Sequence, residues 1–147
     1  MKTIYMETTK ISVPKTIGEI QGLLAEAGAQ KIMIDYSDNE PVSIVFGMEV
    51  DGVLLSFKLP TRIDNLFNHL KSKRKKYDNE TDLKDLDQAR MIGWRQVLKW
   101  IQAQLALINI GMVKTEEVFL PYLFDGKKTV FEIFQDNGFK QIGYKGK

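Results

Sequence analysis

The chain has no cysteine among its 147 residues, which excludes disulfides, thiolate nucleophiles and thiolate-ligated metal centres together. It has a single histidine, His69, so a metal site would have to rest on carboxylates, and no D-x-D-x-D-G spacing is present. No run of about 18 apolar residues occurs, and the opening MKTIYMETTK turns polar too early for a signal-peptide core. These absences predict a soluble protein of the cytoplasm. G-x-x-x-x-G-K-[ST], G-x-G-x-x-G and G-x-S-x-G are also missing, so no phosphate loop, dinucleotide turn or nucleophile elbow supplies a reaction. Neither enzymatic activity nor a cofactor is expected.

What remains is an ordinary globular composition. With 44% hydrophobic and 27% charged residues, the chain can fill one core and is too short for two comfortable ones. The expectation is one α+β domain over residues 1–140, followed by a tail, 141–147, with little to bury. A net charge of +2 is too small to identify a nucleic-acid binder by itself. Its distribution has to decide.

Thr3 to Val13 reads as an extended opening segment with Ile11 and Val13 inward, closed by Pro14. Thr16 and Glu19 form a capping box, and Ile17, Ile20, Leu23, Leu24 and Ala27 give a helix that Gly28 stops. Three strands follow by alternation: Ile32, Ile34 and Tyr36; Val42 to Val50; Val53 to Leu59. Asp51-Gly52 is a two-residue type I′ turn signal that pairs Val50 with Val53, Met48 with Leu55, Phe46 with Phe57 and Ile44 with Leu59. Pro60-Thr61 is expected to end the sheet and cap a helix from Arg62 to about Lys76. A long helix then covers Thr81 to Asn109. It carries one stripe of Trp94, Val97, Leu98, Ile101, Leu105 and Ile108, and an opposite one of Ile92, Trp100, Ala103 and Leu107. Thr115-Glu116-Glu117 and Thr129-x-x-Glu132 open short C-terminal helices. The predicted order is β-α-β-β-β-α-α, a small antiparallel sheet packed by helices on one face. Its middle part shares its order with double-stranded-RNA-binding domains but lacks their loop histidine and basic helix start.

Five groups of residues are candidates for function. The basic run Lys71, Lys73, Arg74, Lys75 and Lys76, with Arg62, could track phosphates. The same run equally suits a helix C-terminus, facing Asp78, Glu80, Asp82, Asp85 and Asp87 at the start of the next helix. Arg95 and Lys99 lie beside Trp94 and Trp100, a combination of charge and stacking used on single strands, although tryptophans at helical spacing usually belong to a core. Asp87 and Arg90 fall on the main apolar stripe and must be paired or solvated there. Asp35, Asp38 and Glu40 cluster in what a strand-to-strand loop requires. Finally, Ile92, Trp100 and Leu107 form a patch that a partner or a homodimer could cover, unless the C-terminal aromatics Phe119, Tyr122 and Phe124 do so.

WRQVLKWIQAQLALINIGMVKTEEVFLPYL, Trp94 to Leu123, resembles part of a family of small uncharacterised proteins encoded by bacteriophages, prophages and other mobile elements, and TTKISVPKTIGEIQGLLAEAGAQ extends the resemblance toward the start. The matched residues are structural in type, so no site is carried over. The resemblance implies a bacterial cytoplasm in which small proteins handle nucleic acid or oppose host defence. The sequence therefore leads to a non-enzymatic accessory protein that binds nucleic acid. Its alternative is a protein- or small-ligand-binding module that modulates a host factor such as a defence enzyme.

Overall fold

Ser12, ahead of Pro14, starts the first helix of the computed structural model, which describes residues 3–73, 78–139, 142–144 and 146. The Ser12 hydroxyl accepts from the Lys15 N–H at 3.3 Å, and Pro14 sits in the first turn, where its missing N–H leaves nothing unsatisfied. This corrects the expected cap at Thr16. Thr16 is fully buried inside α1 (Val13–Glu26), and its Oγ1 accepts from Arg95 instead. Gly28, at φ 100°, turns the chain out of the helix.

Strands β1 (Lys31–Ser37), β2 (Glu40–Val50) and β3 (Val53–Pro60) form an antiparallel meander in the order β1-β2-β3. Asp51 and Gly52 both have positive φ, at 50° and 82°, and the four expected apolar pairs are all in register. Asp38 and Asn39 repeat the device between β1 and β2, with φ of 52° and 64°. Phe46 and Phe57 share the inner face with ring centroids 5.4 Å apart.

The strand expected in the opening segment is absent among the described residues. Side chains of the long helix take the place of a ladder there: Gln88 Nε2 donates to the carbonyls of Glu7 and Thr9, and Gln96 Nε2 to that of Tyr5. Thr61 corrects a second expectation. Its N–H donates to Val42 O at 2.8 Å, extending the β2–β3 pairing beyond Pro60, so α2 (Asp64–Ser72) starts later and without a side-chain cap.

Helix α3 (Asn79–Asn109) has 31 residues, about 46 Å at 1.5 Å per residue, with Asp78 Oδ1 accepting from Thr81 N at 2.8 Å as its cap. Ala89, Ile92, Trp94, Leu98, Ile101 and Leu105 are buried along it. With α1, the inner sheet face and Phe119 of α4 (Thr115–Phe119), most of them build one buried cluster. After a 3₁₀ turn at Leu120–Tyr122, the backbone returns to β3, where Phe124 N donates to Ser56 O at 2.8 Å. The capping box opening α5 (Val130–Asn137) is as expected: Thr129 N donates to Glu132 Oε1 at 2.9 Å and Glu132 N to Thr129 Oγ1 at 3.2 Å. Among the described residues, no helix is long and apolar enough to cross a membrane.

Candidate functional site

A cleft of about 790 Å³ opens at the end of the sheet that carries the β1–β2 turn. Its walls come from segments far apart in sequence: Asp35 of β1, Glu40 and Ser43 of β2, Lys58 of β3, Thr61 and Arg62 of the following connection, Arg90 of α3 and Glu132 of α5. Strand alternation sends Asp35, Ser43 and Lys58 to the face opposite the core, because their neighbours Ile34, Ile44, Phe57 and Leu59 point inward.

Charges of both signs line this cleft. Ser43 Oγ donates to Asp35 Oδ2 at 2.8 Å, and Lys58 Nζ approaches the same oxygen at 3.7 Å. Arg90 reaches Glu40 at 3.6 Å and Asp87 at 3.2 Å, tying α3 to the start of β2. Arg62 lies over the Phe131 ring at 5.8 Å and Lys58 over the Phe124 ring at 5.0 Å. The Thr129 backbone N–H holds the Glu132 carboxyl below its ordinary range, with smaller help from Lys58 and Arg62. Glu132 is therefore an anion at neutral pH. Thr61 Oγ1, also on the lining, is buried without a hydrogen-bond partner among the described residues.

The connection from β3 to α2 is held against the long helix at Gly93. A Cβ there would stand 2.8 Å from Ile63 Cγ2 and 3.0 Å from Thr61 Cγ2, so only glycine lets the two backbones approach this closely. That contact sets the position of Thr61 and Arg62 relative to Arg90.

The described residues among those expected to bind nucleic acid fall in different settings. Arg62 is in the cleft. Lys71 pairs with Asp82 at 3.8 Å and Lys73 with Glu7 at 2.7 Å, so both described members of the basic run already face carboxylates. The Lys73 hydrogen bond lowers the pKa of Glu7, which keeps that pair charged. Arg74, Lys75 and Lys76 lie outside the described residues. Arg95 requires a correction: it is buried between α1 and α3, where it donates to Glu19 and to Thr16 Oγ1, and is not free for phosphate. Lys99, one turn on, is partly exposed.

The expected partner patch is also revised. Ile92 is fully buried, on the helix face between Gln88 and Gln96 that holds the opening segment. Trp100 meets Phe119 and Tyr122 edge-on at 5.5 and 5.6 Å, and Leu107 is half-buried. Phe119 and Tyr122, two of the C-terminal aromatics, therefore cover part of Trp100.

No family model, curated protein or solved structure matches the chain.

Asp35, Glu40 and Arg90 carried a weak signal in the sequence: three acids around a turn, and an arginine on an apolar stripe. Lys58 and Thr61 carried none, because nothing local distinguishes a lysine on an outward strand position or a threonine after proline. No group of three or more His, Asp or Glu that could hold a metal ion occurs among the described residues.

Proposed function

We propose that the chain is a non-enzymatic binding module whose site is this cleft, and that its ligand is a small polar molecule carrying both signs of charge, such as an amino acid or a short peptide. One observation carries the reading: Lys58–Asp35 and Arg90–Glu40 are loose pairs, at 3.7 and 3.6 Å, set in the walls of one 790 Å³ cleft. Partly exposed pairs at such distances contribute little to stability, so their exchange for ligand charges costs little. A zwitterion matches the lining better than a polyanion does, because Asp35, Glu40 and Glu132 would repel phosphates. The resemblance to phage and mobile-element proteins supports a bacterial cytoplasm as the setting and modulation of a host factor as the outcome of binding. Thermal denaturation against free amino acids, dipeptides, mononucleotides and oligonucleotides tests the reading. Zwitterions should raise the midpoint for the wild type but not for Lys58→Met combined with Arg90→Met.

A second reading keeps the nucleic-acid interface at the basic run. It is favoured by the sequence, which sets five cations between positions 71 and 76. Phosphates would have to displace Asp82 and Glu7 from Lys71 and Lys73. Salt-sensitive binding to DNA or RNA at low ionic strength would support it.

A further inference from the structure

Strand β1 occupies one edge of the sheet, with β2 on one side and, among the described residues, no strand on the other. It runs for seven residues without proline, and its irregularity comes only between Asp35 and Tyr36, near its end. Natural edges are usually blunted by short strands, proline, bulges or a covering element, because their free backbone groups recruit other strands. Between Lys31 and Asp35 the edge has no proline and no covering strand among the described residues, and its two charged residues, of opposite sign, lie at the two ends of the stretch.

The side chains along that stretch are self-complementary. Two antiparallel copies related by a two-fold axis place residue i opposite residue j with i + j constant. Keeping the helices of both copies on the same side of the joined sheet requires an even sum. Centring the axis on Met33 sets Lys31 opposite Asp35, Ile32 opposite Ile34 and Met33 opposite its own copy. Centring it on Ile32 or Ile34 sets a charged group against Met33 instead. Only the first register matches charge with opposite charge and apolar with apolar. It also covers groups now half in water: Ile32 and Ile34 are only partly buried at the rim of the core, and Met33 is 53% exposed.

We infer that β1 joins a second copy of this chain by antiparallel pairing centred on Met33, making one six-stranded sheet with the helices of both copies on one face. Cross-strand apolar and opposite-charge pairs stabilise such a seam, and closed two-fold pairing leaves no further β1 edge to propagate. Asp35 also lines the cleft, so Lys31 of the second copy comes to its rim. The pairing rests on the edge alone and stands whether or not the cleft binds a zwitterion.

The absence of cysteine makes the test direct. Wild-type protein should sediment as a dimer at about 100 μM, and Met33→Lys, which sets like charges face to face, should sediment as a monomer with an unchanged circular dichroism spectrum. In Met33→Cys the two thiols would lie across one seam, within the Cα separation of about 4.4–6.8 Å that a disulfide spans, so mild oxidation should give a covalent dimer. Leu54→Cys, on β3 and 42% exposed, should remain uncrosslinked. A monomeric wild type, a dimer indifferent to Met33→Lys, or crosslinking through Leu54→Cys and not Met33→Cys would each overturn the inference.

Discussion

Arg95 donates to Glu19 across the junction of α1 and α3, and it does so from a guanidinium side chain only 9% exposed while Glu19 remains 41% exposed. The pair therefore joins a charge that has lost its water to one that has kept part of it. Removing the exposed partner strands the buried one. Glu19→Gln should destabilise the fold by about 1–3 kcal/mol, below the fully buried case because water still reaches the site. Arg95→Met on top of it should recover part of that loss, and urea unfolding of the three variants checks the cycle. Equal stability of Glu19→Gln and wild type would show that the pair is idle.

Glycines on the two main helices should respond in opposite directions. Gly18 and Gly22 of α1 have open space where a Cβ would go, so alanine at either should stabilise by about 0.5–1 kcal/mol through helix propensity. Gly93 of α3 has Ile63 and Thr61 within 3.0 Å of that position. Both are stiff at χ1, so Gly93→Ala should cost about 1–2 kcal/mol net of its propensity gain and weaken ligand binding by shifting Thr61. Denaturant midpoints would show the sign of each change.

Acid should loosen the C-terminal region. Glu132 is held below its ordinary pKa of 4.5 by the Thr129 N–H, and Asp125 below 3.8 by the N–H groups of Lys128 and Lys127. A lowered folded pKa gives stability that is complete above the unfolded value and is lost as pH falls through the folded one. The contribution is therefore intact at pH 7, begins to decline below about pH 4.5 and is gone once pH has fallen through the lowered pKa of folded Glu132. Thr129→Ala should cost about 1 kcal/mol at pH 7 and flatten that acid limb. Amide exchange in α5 at pH 7 and pH 3 reports both effects.

Replacing Lys71, Lys73, Arg74, Lys75 and Lys76 together by Gln separates the two functional readings. If the cleft is the site, zwitterion binding is unchanged and only any affinity for DNA or RNA falls. A nucleic-acid interface at the run would show a log–log salt slope near −0.9 per duplex phosphate contact, removed in the variant. Gel-shift titrations at two ionic strengths give the answer.

Local chemistry made much of the fold legible in the sequence. The turn Asp51-Gly52 and its four apolar pairs agree because hairpin register depends on turn type and alternation, both local. The cap of α1 did not, since Ser12 and Thr16 lie one turn apart and both suit an N-cap. The opening strand failed for a non-local reason: its carbonyls are met by Gln88 and Gln96, about 80 to 90 residues on, which no pattern in Thr3 to Val13 announces. The cleft was illegible for the same reason. Asp35, Lys58, Arg90 and Glu132 come from four elements, and the packing of Ile63 and Thr61 against Gly93 brings the connection after β3 beside the long helix.

The most direct test of the cleft as a binding site is a ¹H–¹⁵N correlation spectrum of the wild-type protein titrated with pooled amino acids and dipeptides to millimolar concentration. Saturable shifts centred on Asp35, Ser43, Lys58, Thr61, Arg90 and Glu132, absent from Lys58→Met combined with Arg90→Met, are the expected result. Spectra that stay unmoved by every zwitterion, while oligonucleotides shift Lys71, Lys73 and their neighbours, would contradict it.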